Sequence, residues 1–161
     1  MFLREAVQRC AELEESIAAI YDALALQHEG RGDLALLWSE LSHRERTRAR
    51  VLRAASAAED VLENDGPFLV HVPLQLAGLR RVVDEASHRI HAGVEPSTAL
   101  DVVESIEAAE RGGIYTGLLE LIRPEIAKVL RVVDSQSARR GADESLLVRL
   151  REAAAHVGVG L

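Results

Sequence analysis

The sequence predicts an all-α protein, a bundle of two antiparallel helical hairpins joined by a long crossover that contains a short helix. Apolar residues make up 48% of the 161 residues and aromatics only 3%, and the apolar residues are chiefly Ala, Leu and Val, a balance that favours helix. They recur at spacings of three and four, which places them on one helical face. This length fits one domain, expected over residues 1–155, with a flexible tail at 156–161.

The first hairpin is predicted from two periodic segments around a glycine-containing link. Helix one is expected over residues 3–28. The segment 30–33, Gly-Arg-Gly-Asp, ends it and offers Asp33 as the N-cap of a second helix. So short a link makes the two helices antiparallel neighbours. The inward stripe of the second helix is expected to contain Leu34, Leu37, Trp38, Leu41, Glu45, Arg48 and Leu52.

The second half begins with a long link, because the periodic pattern lapses over 63–67 and at Pro73. A short helical run is expected near 75–92, ending at Gly93. A third helix should open at 96–98 and continue to about residue 122, and Pro124 should start a fourth. Glycines at 112 and 113 would then lie inside the third helix, where each costs about 1 kcal/mol relative to Ala. We expect them to allow close approach to Ala18 and Ala19, or to leave space for a ligand or a partner helix.

Charge and cysteine content exclude several classes of function. The net charge of −7 argues against a nucleic-acid binder, which needs positive potential on its contact surface. The single cysteine, Cys10, excludes an internal disulfide and a cysteine-rich metal site, and it is expected to be a small core residue. No apolar stretch approaches the roughly 20 residues of a membrane span, and the first residues do not resemble a signal peptide. We therefore expect a cytoplasmic protein that does not bind membranes.

A faint internal repeat relates the two tyrosines, Tyr21 and Tyr115. Each follows an isoleucine and two small residues, Ala-Ala in the first case and Gly-Gly in the second. Glu14 lies seven residues before Tyr21. The second helix carries Glu45 with Arg48 three residues later, and residues at this spacing share a helix face.

These features resemble the ferritin-like superfamily, in particular its rubrerythrin-type branch. In that family a ligand Glu lies seven residues before a Tyr on helices one and three, and Glu-x-x-His pairs on helices two and four complete a di-iron site. Glu14 and Glu45 match this pattern, whereas Arg48 stands in place of the histidine. Seven residues before Tyr115 comes Ala108, with Glu107 one position away.

The register of helix four is open. The repeat sets Ser137 against Glu45 and Arg140 against Arg48, whereas a competing register makes Asp134 and Ser137 the Glu-x-x-His equivalents. On helix three, Glu104, Glu107 and Glu110 form a stripe that is expected to be a solvated edge.

The resemblance with these replacements implies a ferritin-like bundle with a degenerate metal site. An always-protonated guanidinium repels the cation that the site would bind, so no metal is expected. Buried carboxylates still need partners. We predict an internal polar cluster at the former metal site, and if iron or manganese does bind, its ligands should be Glu14, Glu45 and Glu107. The alternative is that Arg48 extends to solvent and Glu14 lies on the helix flank. The predicted cluster comprises Glu14, Glu45, Arg48, Arg140, Tyr21 and Tyr115.

Other motifs have simpler interpretations. Glu40 and His43 spell Glu-x-x-His, but helical geometry turns them towards solvent. His88 and His91 lack a third ligand in the pattern. The C-terminal Val-Gly-Val-Gly-Leu is similar to docking peptides of ferritin-like cargo in protein nanocompartments.

The sequence is compatible with three functions. The first is a non-catalytic dimerisation or protein-interaction module, expected to form a homodimer with Trp38 or the glycine pair at its seam. The second is an iron or manganese oxidoreductase of oxidative-stress defence, a peroxidase or ferroxidase with an altered ligand set. The third is a small-ligand binder that uses the vacated bundle centre.

Overall fold

A computed structural model of the chain describes residues 1–57, 68–111 and 113–124. Its helices are α1 (Leu3–Gln27), α2 (Gly32–Ala57), α3 (Val72–His91) and α4 (Pro96–Glu110), followed by α5 over 114–124. Within these ranges extended backbone pairs at one isolated bridge, Phe2 with Phe68. The all-α prediction is confirmed for this part of the chain. None of its helices has the length and apolar character needed to cross a membrane.

The first two helices form the predicted antiparallel hairpin. Ion pairs join Arg46 to Asp22 near the turn and Arg53 to Glu15 further along, so the two helices run in opposite directions. The inner face of α1 forms most of this part of the core, because its apolar residues repeat at the helical period. These buried residues are Leu3, Ala6, Val7, Cys10, Ala11, Leu13, Ile17, Ala18, Ile20, Tyr21 and Leu24.

Three details of the hairpin differ from the sequence prediction. Helix α2 begins at Gly32, so Asp33 lies in its first turn instead of at the N-cap, where its charge favours the positive end of the helix. Leu37 is 40% exposed. Ser42 is buried instead, and its hydroxyl donates a 2.6 Å hydrogen bond to Asp22 Oδ1. Because Trp38 is fully buried, its side chain is not available for a surface seam.

Helix α3 packs against α1 and α4. It begins three residues earlier than the pattern suggested and has Pro73 in its first turn, where the missing N–H is not needed. Gly93, at φ +79°, lies just beyond the helix end. This left-handed conformation is readily adopted by glycine, and it turns the chain towards α4.

The predicted continuous helix from 96 to about 122 is wrong. Helix α4 ends at Glu110, and Gly113 has φ +73° before α5 begins at residue 114. A β-carbon on Gly113 would meet nothing within 4 Å, so its role is backbone conformation and not close approach to another helix. Pro124 is the last described residue of α5, not a first-turn residue. Gly112, the predicted fourth helix beyond Pro124 and the tail lie outside the described residues.

Candidate functional site

Three helices direct carboxylates to one point inside the fold. Helix α1 supplies Glu14, α2 supplies Glu45 and α4 supplies Glu110 from its last turn. One oxygen from each carboxylate lies within 4.8 Å of the others. Glu14 and Glu45 are at most 1% exposed, and the Glu110 side chain is 11% exposed. The structure therefore assembles a buried carboxylate group from helices that are distant in sequence.

The guanidinium of Arg48 contacts all three carboxylates. Its Nη1 atom is 2.8 Å from Glu45 Oε2 and 3.2 Å from Glu110 Oε1, and both contacts are hydrogen bonds. The same atom is 3.8 Å from Glu14 Oε2. The Arg48 side chain is 27% exposed, so the guanidinium turns inward instead of extending to solvent. We name these four residues, Glu14, Glu45, Arg48 and Glu110, the Glu–Arg cluster.

A second arginine extends the cluster towards α4. Arg44 Nε donates a 2.6 Å hydrogen bond to Glu45 Oε1, and its Nη2 donates to Glu107 Oε1. Glu107 Oε1 also accepts a 3.3 Å hydrogen bond from the Tyr21 hydroxyl. Glu107 therefore lies outside the group of three carboxylates. Glu110 takes the position beside Glu14 and Glu45 that was predicted for Glu107.

Tyr115 meets the cluster through its ring. The Arg48 Cζ atom lies 5.0 Å from the ring centre, within range for a cation–π interaction. Burial is the largest influence on the Tyr115 hydroxyl and raises its pKa to about 12. The ring thus covers the guanidinium on the side of α5.

Burial and crowding raise the pKa of the carboxylates. Burial is the largest cause for Glu14, followed by its contact with Glu45 and the charge of Glu110, and together they raise its pKa well above 4.5 although Arg48 opposes them. Burial and the charge of Glu45 raise the pKa of Glu110 to about 7. At neutral pH the site therefore holds a proton on Glu14 and is near the titration midpoint of Glu110.

The excess of carboxylates over guanidinium groups explains why the pKa values of Glu14 and Glu110 are raised. Among the described residues, four carboxylates, on Glu14, Glu45, Glu107 and Glu110, face two guanidinium groups, on Arg44 and Arg48. Burial lowers the pKa of Arg48, but the surrounding carboxylates raise it by more, so it stays charged. Fully ionised, these six groups would have two more negative charges than positive ones, and a buried excess of this kind is costly.

Within the part of the chain that the structure describes, two carboxylate oxygens of the cluster have no hydrogen-bond partner. Glu14 Oε2 and Glu110 Oε2 are both buried and unpartnered. They belong to residues that line a cavity of about 50 Å³ between α1, α2, α3 and the turn from α4 to α5. Cys10, Arg48, Tyr115 and Thr116 also line it. The cluster thus borders a small polar space.

Cys10 behaves as the core residue that the sequence indicated. It is 1% exposed, and its thiol lies 3.9 Å from Glu14 Oε1. Burial, followed by the charges of Glu14 and Glu110, raises the thiol pKa far above its usual range. A nucleophilic thiolate is therefore disfavoured here.

The histidine motifs that the sequence offered are exposed. Glu40 and His43 are exposed, as predicted from helix geometry, and His88 and His91 are exposed on α3. Glu104 is exposed, whereas Glu110 of the same stripe turns inward, so the expected solvated edge is wrong at its C-terminal end. Arg140, Asp134 and Ser137 lie outside the described residues. Sequence reasoning did not place Arg44 in the site, although its position beside Glu45 was a usable signal.

Comparison with known proteins adds no family assignment: no family model, no curated protein and no solved structure matches this chain.

Proposed function

We propose that this protein is a non-catalytic, ferritin-like bundle of the rubrerythrin type, in which the Glu–Arg cluster replaces a metal site. The observation that carries this proposal is the position of Arg48 Nη1, 2.8, 3.2 and 3.8 Å from the three carboxylates that could otherwise share a metal ion. A permanent positive charge at this position competes directly with a metal cation.

The donor set also fits an iron pair poorly. The group of candidate ligands in the described residues consists of three carboxylates and no histidine. Iron sites of this kind use imidazole as well as carboxylate. Arg48 occupies the sequence position where the family pattern has histidine, and its charge has the opposite effect on metal affinity.

We further propose that the bundle acts as a dimerisation or protein-interaction module. Several large apolar side chains are exposed near the start of the chain and of α3: Phe2, Phe68, Val70 and Leu74. The rings of Phe2 and Phe68 pack edge to face with centroids 5.4 Å apart. Neighbouring exposed apolar groups favour protein association, and this region replaces Trp38 as the candidate seam.

A second candidate function is a metal-dependent oxidoreductase with an altered ligand set, which would use iron or manganese. Two observations favour it: one oxygen of each of the three carboxylates lies within 4.8 Å of the others, and Glu14 Oε2 and Glu110 Oε2 have no hydrogen-bond partner among the described residues. A metal bound here would have Glu14, Glu45 and Glu110 as ligands, and Arg48 would have to move away.

Metal analysis separates the two functions. Protein purified from cells grown with added iron and manganese should contain no stoichiometric metal if the Glu–Arg cluster replaces the site. About one or two metal ions per chain, lost on mutation of Glu45 to Gln, would contradict the first proposal and support the second.

The association proposal needs its own measurement. Light scattering of purified protein should give the mass of a dimer. Phe68→Ser should shift this mass towards the monomer, whereas Ser105→Ala, a change at an exposed position on α4, should not. A monomer at all protein concentrations would exclude self-association.

A further inference from the structure

The cavity beside the Glu–Arg cluster has the chemistry of a ligand site. It has a volume of about 50 Å³ and is lined by Glu14, Arg48, Glu110 and Tyr115, among others. This volume holds roughly three water-sized groups. An occupant must therefore be very small, or must insert only its head group.

The unpartnered oxygens define what such an occupant must supply. Glu14 is 1% exposed, and its Oε2 atom accepts no hydrogen bond from any described residue. The Glu110 Oε2 atom is also buried and has no hydrogen-bond partner among the described residues. A buried acceptor without a donor costs about 1–3 kcal/mol. A ligand that brings two or more N–H or O–H donors would remove that cost at both atoms.

The charge of the surrounding residues favours a cation as the occupant of the cavity. Among the described residues, with Glu14 protonated and Glu110 ionised, three carboxylates face Arg44 and Arg48, and a monovalent cation balances the one excess negative charge. The hydrogen bonds of Arg48 Nη1 go to Glu45 and Glu110, so an anion would find the nearest guanidinium already engaged. The Tyr115 side chain also lines the cavity.

We propose that this cavity binds a small primary ammonium group, such as ammonium itself or the head of a simple alkylamine, through Glu14 Oε2 and Glu110 Oε2. The inference rests on the proposed function, in which Arg48 and not a metal ion holds the cluster together. Ammonium fits the requirements because it is compact, positively charged and rich in N–H donors.

The test uses the full chain with methylammonium chloride, followed by thermal unfolding. The melting temperature should rise and then saturate with methylammonium. Potassium chloride and tetramethylammonium chloride at equal concentrations should not reproduce the rise, because both cations lack N–H donors. In Glu110→Gln and in Glu14→Gln the apparent affinity should fall roughly tenfold or more. Glu104→Gln, an exposed position on the same helix as Glu110, is the matched control.

Three results would overturn the inference. The first is an equal rise with potassium, which is a general salt effect. The second is a methylammonium effect that both glutamine variants retain. The third is the absence of any saturable effect in the native chain. If the third result comes with no binding of Mn²⁺, the ammonium site is refuted while the Glu–Arg cluster stands. Saturable stabilisation by Mn²⁺ would instead overturn both.

Discussion

The guanidinium of Arg48 is held between the ring of Tyr115, 5.0 Å from its centre, and the carboxylate of Glu45, 2.8 Å from Nη1. This arrangement fixes the guanidinium from two sides. The ring belongs to α5 and the carboxylate to the same helix as the arginine, so the position of the positive charge depends on both. The first prediction follows from removing that charge.

Replacing Arg48 with Met should lower the free energy of unfolding by about 3–5 kcal/mol, because it removes the cation beside the buried carboxylate of Glu110 and leaves Glu45 with Arg44. The double variant Arg48→Met with Glu45→Gln should lose less than the sum of the two single variants, because one of the carboxylates that loses its contact with Arg48 is then uncharged. Chemical denaturation of the three variants measures this coupling.

The control for this comparison is Arg50→Met, which removes an exposed arginine two residues along the same helix and should change stability by no more than about 0.5 kcal/mol. Strictly additive losses, or an Arg48→Met loss as small as that of Arg50→Met, would refute the cluster.

Stability should depend on pH through Glu14 and Glu110. The folded pKa of each lies above 4.5, reaching about 7 for Glu110. Between 4.5 and the folded pKa the folded chain binds more protons than the unfolded chain, so these groups lower stability as pH rises. Glu110 should contribute to this loss from about pH 4.5 to 7, and Glu14 should continue it above pH 7.

The measurement is the difference in unfolding free energy between the native chain and each glutamine variant across pH 5–9. Glu14→Gln and Glu110→Gln should gain stability relative to the native chain as pH rises. A pH-independent difference for both variants would show that neither carboxyl has a raised pKa.

Replacing Arg48 with His should increase affinity for divalent metal ions. The change removes a permanent charge from among three carboxylates and supplies a neutral imidazole in the Glu-x-x-His spacing. Relief of repulsion at about 4 Å is worth at least 1 kcal/mol even in water and more in a buried site, so we expect roughly tenfold or tighter binding. Titration with Co²⁺ or Mn²⁺ measures the change.

Arg50→His adds an imidazole to the same helix at an exposed position and should leave metal affinity unchanged. If the native chain already binds Mn²⁺ as tightly as Arg48→His, then Arg48 does not block the site.

Replacing glycine with alanine should have opposite effects on stability in the turn after α4 and in α5. Gly113→Ala forces a side chain into φ +73°, which costs about 1–2 kcal/mol. Gly117→Ala lies in α5 with nothing within 4 Å of the added carbon, and it should stabilise by about 0.5–1 kcal/mol. Thermal melts of the pair test this opposite sign, and equal effects would contradict the role assigned to Gly113.

The sequence predicted site residues correctly where a helix is uninterrupted, and it failed where the helix is broken. Glu14, Glu45 and Arg48 lie on uninterrupted helices, where a spacing of three or seven residues fixes a shared face. Counting seven residues back from Tyr115 reached Ala108 by assuming one helix, but Gly113 lies between them in a left-handed conformation. Helical spacing does not hold across such a break, and Glu110 was therefore assigned to solvent.

Arg44 was not predicted for a different reason. It lies about 100° around the helix from Glu45, so the apolar pattern predicts a surface position for it. Its side chain is indeed 39% exposed. A long, flexible side chain can nevertheless reach back to a buried carboxylate. Helical periodicity predicts the direction in which a side chain leaves the backbone, but not the position of the guanidinium at the end of a long side chain.

The contact of one guanidinium with carboxylates from α1, α2 and α4 has a consequence for local unfolding. If α1 or α4 detached alone, its carboxyl would lose the contact with Arg48, and if α2 detached, both carboxyls would lose it. Partial opening is therefore costly, and amide hydrogens beside Glu14, Glu45 and Glu110 should exchange with solvent through one shared opening event. The cluster makes three helices a single cooperative unit.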